Sequence, residues 1–291
     1  MSGHAGPIYQ LHRGRTADHV LTISGDHFVA EWNIASGVAS PFSVKLEHPG
    51  LCLWCSKDAS YMACGTLAGG LHIINLREKK EEHLFKVHTQ GVFALLEVAD
   101  ENWLIAGGGD GFLSVWEIGT WRLVRHFKVV DAKIRTLLVV DDRLHVGAGD
   151  GSITMLDLPW LNILNTFYAH EGGTYSLTAH PQKPVLISGG KDGLLKLWRR
   201  ADHSLLMEIP AHNFSIYSMA VSPDQRLLAT GSRDKTIKLW DLSSMDFLAR
   251  IERPEYAAHT HSINSLLWLP ETNQLISAGD DRKIKVWIIA P

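Results

Sequence analysis

Short apolar runs alternate with clusters of Gly, Asp, Ser and Pro along the whole chain, and none of the runs is longer than a strand. The pattern is clearest in residues 211–242, AHNFSIYSMAVSPDQRLLATGSRDKTIKLWDL. There 216–221 reads as a strand, 222–225 (SPDQ) as a turn, 227–231 as a second strand and 236–242 as a third, with 247–251 as a fourth. The same reading near the start of the chain gives strands at 8–11, 20–24, 28–34 and 42–46. Gly and Asp punctuate the turn between second and third strands, as in GGDG at 108–111 and GDG at 149–151, where glycine permits positive φ in a tight hairpin. A strand follows each of these turns, so they lack the helix N-terminus that a phosphate cradle needs.

Within 211–242, His212, Asp234 and Trp240 stand 22 and then 6 residues apart. Four more sets keep both spacings: His4, Asp26 and Trp32; His88, Asp110 and Trp116; His170, Asp192 and Trp198; and His259, Asp281 and Trp287. Two further units appear once the phase is known, the earlier starting at His48, with Ile74 and Leu156 at the tryptophan position, Ala68 and Asp150 at the aspartate position, and Val130 at the histidine position of the later one. Successive markers lie 42, 42, 40, 42, 42 and 47 residues apart, making seven units, five with the full triplet. A repeat of roughly 40–45 residues with His near its start and Trp-Asp near its end is the signature of a β-propeller.

In that repeat the chain resembles the WD40 family over essentially its whole length. The resemblance implies an all-β, seven-bladed propeller forming one domain, 1–291, with blades at about 1–46, 47–86, 87–128, 129–168, 169–210, 211–252 and 253–291. It also implies that the histidine lies before the innermost strand, the aspartate in the second hairpin and the tryptophan on the third strand. A hydroxyl four residues before the aspartate, Thr22, Ser188, Thr230 or Ser277, completes the set, and Ala106 breaks it in unit three. Such a set staples a blade, and loss of one member is expected to cost about 1–3 kcal/mol. Ser/Thr, His and Asp also describe a hydrolase triad. Near-identical copies around a ring, with no one copy set apart, favour the structural role.

Composition narrows the functional classes. A net charge of −3 and a pI near 6.6 provide no global field for nucleic acid or an anionic membrane. The apolar runs fall far short of the ~18 residues that span a bilayer, and the start, MSGHAGPIYQ, lacks the basic and apolar regions of a secretory signal. Cys52, Cys55 and Cys64 are an odd, sparse set that suits a reducing compartment, so a cytoplasmic protein is expected. Cys52 and Cys55 form a CxxC with His48 and Cys64 nearby, but residues three apart on a strand face opposite ways and read as buried thiols. His261 beside the triplet's His259 makes no metal site, and no cofactor is expected. The run 77–82 (REKKEE) carries three charges of each sign and reads as a solvated loop.

Closure of the ring is the open point. The chain ends four residues after Trp287 and only three precede His4, which leaves no room for a fourth strand in blade seven. Twenty-seven strands are expected, with 283–289 an exposed edge carrying Lys283 and Lys285, charges that discourage pairing. The innermost strands are expected to close the ring alone in a monomer. The alternative is a partner or second copy supplying the missing strand at 283–289.

A protein or peptide partner is expected on the face carrying the second hairpins and the starts of the innermost strands. Counting five residues from each histidine position selects Tyr9, Leu53, Phe93, Arg135, Tyr175, Tyr217 and Asn264, to which Lys133, Lys191, Arg233 and Asp280 add charge. Tyr9, Phe93, Lys133, Arg135, Tyr175, Lys191, Tyr217 and Arg233 are the candidate binding residues, since aromatic and Arg side chains dominate interface energetics. The leading expectation is thus a non-catalytic scaffold. The alternatives are an enzyme using the central channel, or nucleic-acid or ubiquitin-type recognition through Lys133, Arg135, Lys191 and Arg233.

Overall fold

The computed structural model describes residues 1–289. Six antiparallel four-stranded sheets and a seventh of three strands follow one another in chain order, 27 strands in all among the described residues. Their innermost strands are Ile8–Arg13, Gly50–Cys55, Val92–Val98, Ile134–Val140, Thr174–Ala179, Ile216–Val221 and Ile263–Leu269. Each touches the next, and the last touches the first, so the sheets stand as seven blades around a channel.

Burial explains why these segments become strands. The second strands, such as His19–Ser24 (HVLTIS) and Val185–Gly190 (VLISGG), are sandwiched between neighbouring blades and are buried on both faces. Outer strands such as Ala39–Lys45 cover only one neighbour, and their exposure alternates residue by residue. The core is accordingly a series of wedges between blades, each built from two adjacent sheets. In all seven blades the residue after the aspartate position has positive φ, from 63° at Arg282 to 95° at Gly151. Glycine fills four of these positions, while His27, Lys235 and Arg282 accept the left-handed conformation in the other three.

The seventh blade has three strands, the last being Ile284–Ile288. Closure uses a side chain to backbone bond that recurs at two other junctions. The Leu11 amide donates to Ser265 Oγ at 3.0 Å and Asn264 Nδ2 donates to the Ile8 carbonyl at 3.0 Å, joining blade seven to blade one. Leu266 N to Ser218 Oγ (3.0 Å) and Leu53 N to Gln10 Oε1 (2.7 Å) do the same between blades six and seven and between one and two.

Blade seven lacks a fourth strand, as expected, but the start of the chain does touch its outer edge. The Met1 amino group donates to the Ile284 carbonyl at 2.8 Å, the Ile284 amide donates back to the Met1 carbonyl at 3.0 Å, and Ser2 bridges Lys283. Two residues suffice to begin a ladder, and they cover the start of the edge. Further along, Ile288 is 84% exposed, while Lys285 turns inward and donates to the Ala257 carbonyl instead of guarding the edge. Ala290 and Pro291, the last residues of that expectation, lie outside the described residues.

Blades four and five enclose a polar pair that the repeat pattern does not require. His145, on the strand Arg143–Ala148, lies with its ring 6.5 Å from that of His203, and His145 Nδ1 and His203 Nε2 are buried without hydrogen-bond partners. Burial, and then the charge of His203, push His145 down from the ordinary 6.5 to about 4. The unfolded chain therefore binds this proton first as pH falls, so the stability held above pH 6.5 declines down to about pH 4. Replacing His145 with Leu is expected to shrink that acid loss by about 3 kcal/mol, read from denaturant unfolding at several pH values. Acid branches that coincide for variant and parent would contradict the assignment.

Candidate functional site

Two polar constellations stand out, and their exposure separates them. The first is the repeated triplet. In blades one, three, five, six and seven the aspartate lies 2.8–3.1 Å from the histidine Nδ1, as in His212–Asp234 at 2.9 Å. Histidine Nε2 meets a hydroxyl at 2.7–2.9 Å, and the tryptophan Nε1 donates to the same hydroxyl at 2.8–3.0 Å. A neutral imidazole with its proton on Nδ1 donates to the carboxylate and accepts from the hydroxyl, so every member is satisfied. The aspartate also accepts backbone amides, Asn213 and Thr236 in blade six, tying the loop before the innermost strand to the second hairpin. Burial pushes these five carboxyls up, but the imidazole and amide bonds outweigh it and hold all five below the usual range.

Blade three reaches the same geometry by another route. Where Ala106 lacks a hydroxyl, Ser114, its cross-strand partner, supplies one to both His88 and Trp116. All five hydroxyls are fully buried, so none can be reached by a substrate as a nucleophile. Blades two and four exchange the set as a whole. Leu46, Cys64 and Ile74 fill blade two and Val130, Val146 and Leu156 fill blade four, apolar at each of the three positions. The histidine position of blade two is thus Leu46, and His48, taken as the start of that unit, is exposed. Nearby, burial pushes all three thiols up, Cys55 to about 11, which leaves them poor nucleophiles.

The second constellation is open to solvent. Every innermost strand carries a register shift against the second strand that skips its second residue: Tyr9, Leu51, Phe93, Arg135, Tyr175, Tyr217 and Asn264. A bulged residue has no ladder partner and is re-aimed. Seven bulges at one level turn seven side chains, each half-buried, into the wall of a funnel of about 610 Å³ at one end of the channel. Tyr9, Phe93, Lys133, Arg135, Tyr175 and Tyr217 line it together with Leu51, Leu67, Asn264 and Asp280.

Two expected residues stand outside this lining, and a third is replaced. Lys191 and Arg233 are exposed on the neighbouring hairpins, Arg233 with its guanidinium 5.8 Å from the ring of Phe214. Leu53 is buried in the wedge between blades one and two, because counting from His48 overshoots by two; counting from Leu46 gives Leu51. Inside the funnel, the Arg135 guanidinium lies 4.8 Å from the centre of Phe93 and 5.3 Å from that of Tyr175, with the ring of Tyr217 5.7 Å beyond and tilted by 34°. On the opposite wall Asn264 Nδ2 donates to Asp280 at 2.7 Å. Burial, and then Asp280, raise the Tyr9 phenol, which stays protonated and able to donate.

The buried sets lend themselves to a direct test in blade three. Ser114→Ala is expected to strand His88 Nε2 and Trp116 Nε1 and to cost about 1–3 kcal/mol in denaturant unfolding. Adding Ala106→Ser, which restores a hydroxyl at the position used by the other blades, is expected to recover most of that loss. Equal stability of the single and double variants would contradict the shared role of the two positions.

The family model described as WD domain, G-beta repeat matches residues 79–117, 161–199, 203–241 and 252–287, together more than half of the chain. The chain is similar to WD repeat-containing protein 90 of Xenopus tropicalis, 25% identical over 204 residues, which is 62% of this chain and 11% of that protein. It is similar also to THO complex subunit 3 of Arabidopsis thaliana, 24% identical over 203 residues, 69% of this chain and 51% of that one. U3 small nucleolar RNA-associated protein 12 of Saccharomyces cerevisiae is 27% identical over 104 residues, 35% of this chain and 11% of that protein. The chain thus spans from about a tenth to about half of the length of these relatives. Among the described residues no helix is long and apolar enough to cross a membrane. With blade geometry, marker spacing and sequence match pointing the same way, the chain belongs to the WD40-repeat family of β-propellers.

Proposed function

We propose that the chain is a non-catalytic scaffold that captures a segment of a partner protein in the funnel formed by its seven bulged residues. The funnel carries this reading: a rigid ring of sheets holds four aromatic side chains and an arginine half-exposed at one mouth. Aromatic and Arg side chains on a preorganised frame are the usual anchors of protein recognition. The buried hydroxyls argue against acyl-transfer chemistry at the repeated sets, and the three deeply buried, unpaired thiols support an intracellular setting. One relative is named as subunit 3 of the THO complex, which supports a role as one subunit among others.

The double substitution Tyr217→Ala and Arg233→Ala tests the face. Tyr217 is half-buried and Arg233 exposed, so the melting temperature is expected to move by no more than about 3 °C. Capture of partner proteins from native extract by the immobilised chain is expected to be lost. Unaltered capture by the double variant would overturn the assignment of this face.

A further inference from the structure

We propose that the segment accepted by the funnel presents a carboxylate, an Asp or Glu side chain of an acidic peptide, and that Arg135 clamps it. This rests on the docking reading above. Arg135 lies within stacking distance of Phe93 and Tyr175, and Lys133 Nζ lies 5.8 Å from the centre of Phe93. The ring faces of Phe93 and Tyr175, two of the four aromatic side chains of the funnel, are therefore already covered by the protein's own cations. A cationic ligand would find those faces taken and would meet like charge.

Stacking leaves the edge of a guanidinium, with its fork of N–H groups, as its free direction, and that edge matches a carboxylate in two-point geometry. Arg135 Nε is buried and has no hydrogen-bond partner. Among the described residues, none of Lys133, Arg135, Lys191 and Arg233 forms an ion pair. The nearest acid in the lining, Asp280, stands on blade seven across the channel and is engaged by Asn264. A single carboxylate placed beside Arg135 is complemented there. The repeating charge of a nucleic-acid backbone would meet Asp280 on the far wall and a chain of net charge −3.

The test uses fluorescent octapeptide pools with one central position fixed as Glu, Gln, Lys or phosphoserine, and a labelled single-stranded RNA 12-mer, all read by anisotropy on the full chain. The Glu pool is expected to bind about tenfold more tightly than the Gln and Lys pools, and its binding to weaken as salt rises. Arg135→Gln is expected to abolish the Glu preference while leaving the Gln pool unaffected. Lys133→Gln, at an exposed position, is expected to weaken the Glu pool about threefold and serves should the Arg135 variant misfold. Equal affinity for Glu and Gln pools, an unchanged preference in both variants, or tighter binding of phosphoserine or RNA would overturn the proposal. If the Glu preference is absent while the Tyr217/Arg233 double variant still loses its partner, the carboxylate clamp fails and the docking face stands. If partner capture survives that double variant, the docking reading itself has failed.

Discussion

The propeller depends on how each blade deals with one buried junction, where the loop before the innermost strand, the second hairpin and the third strand meet. Backbone turns crowd there, and a polar side chain placed at the junction must find all its partners inside the protein. Five blades answer with carboxylate, imidazole, hydroxyl and indole bonded in series. Two answer with three apolar side chains. No blade mixes the solutions at the histidine and tryptophan positions, and blade three, with Ala106 at the usual hydroxyl position, recovers the hydroxyl from Ser114 across the hairpin. That is the expected consequence of an interaction whose loss is costly one partner at a time and close to neutral when all partners are exchanged together. Asp150 remains in apolar blade four because it has left the series; it is exposed and caps its hairpin through the amide and hydroxyl of Ser152.

Pinning the rim leaves the inner ends of the blades free to carry function. The innermost strands are joined laterally by side chain to backbone bonds, including those across the closing junction, so the ring does not need a fourth strand in blade seven. The same strands each start with a bulge, and a bulge repeated at one level around a ring makes a mouth lined by seven independent side chains. The repeated positions are thus nearly uniform, while the bulged ones vary, with tyrosine, leucine, phenylalanine, arginine and asparagine all occurring; in the proposed function these are the positions that select the partner.

Much of this was legible in the residues. The spacing of His212, Asp234 and Trp240 located five blades, and its phase located Ile74 and Leu156 in the other two. The strands of blade six fall within a residue of their expected bounds because alternating burial and Gly/Asp turns mark them directly. What escaped was whatever depends on cross-strand register. Ser114 replaces the hydroxyl missing at Ala106 because the two residues face each other across a hairpin, a relation that spacing along the chain does not display. Leu51 was passed over for Leu53 because His48 imitated the marker that Leu46 in fact replaces. The pairing of Met1 and Ser2 with blade seven joins chain segments more than 280 residues apart, which no local pattern can encode.

The most direct measurement is to transplant the apolar solution of blade four into blade six, comparing His212→Val, Thr230→Val and Trp240→Leu singly and combined by denaturant unfolding. If the junction works as a set, each single change costs about 1–3 kcal/mol and the triple variant loses much less than their sum, with Asp234 still capping its hairpin as Asp150 does. A triple variant whose loss equals the sum of the three would show that the members act independently, and would contradict the account.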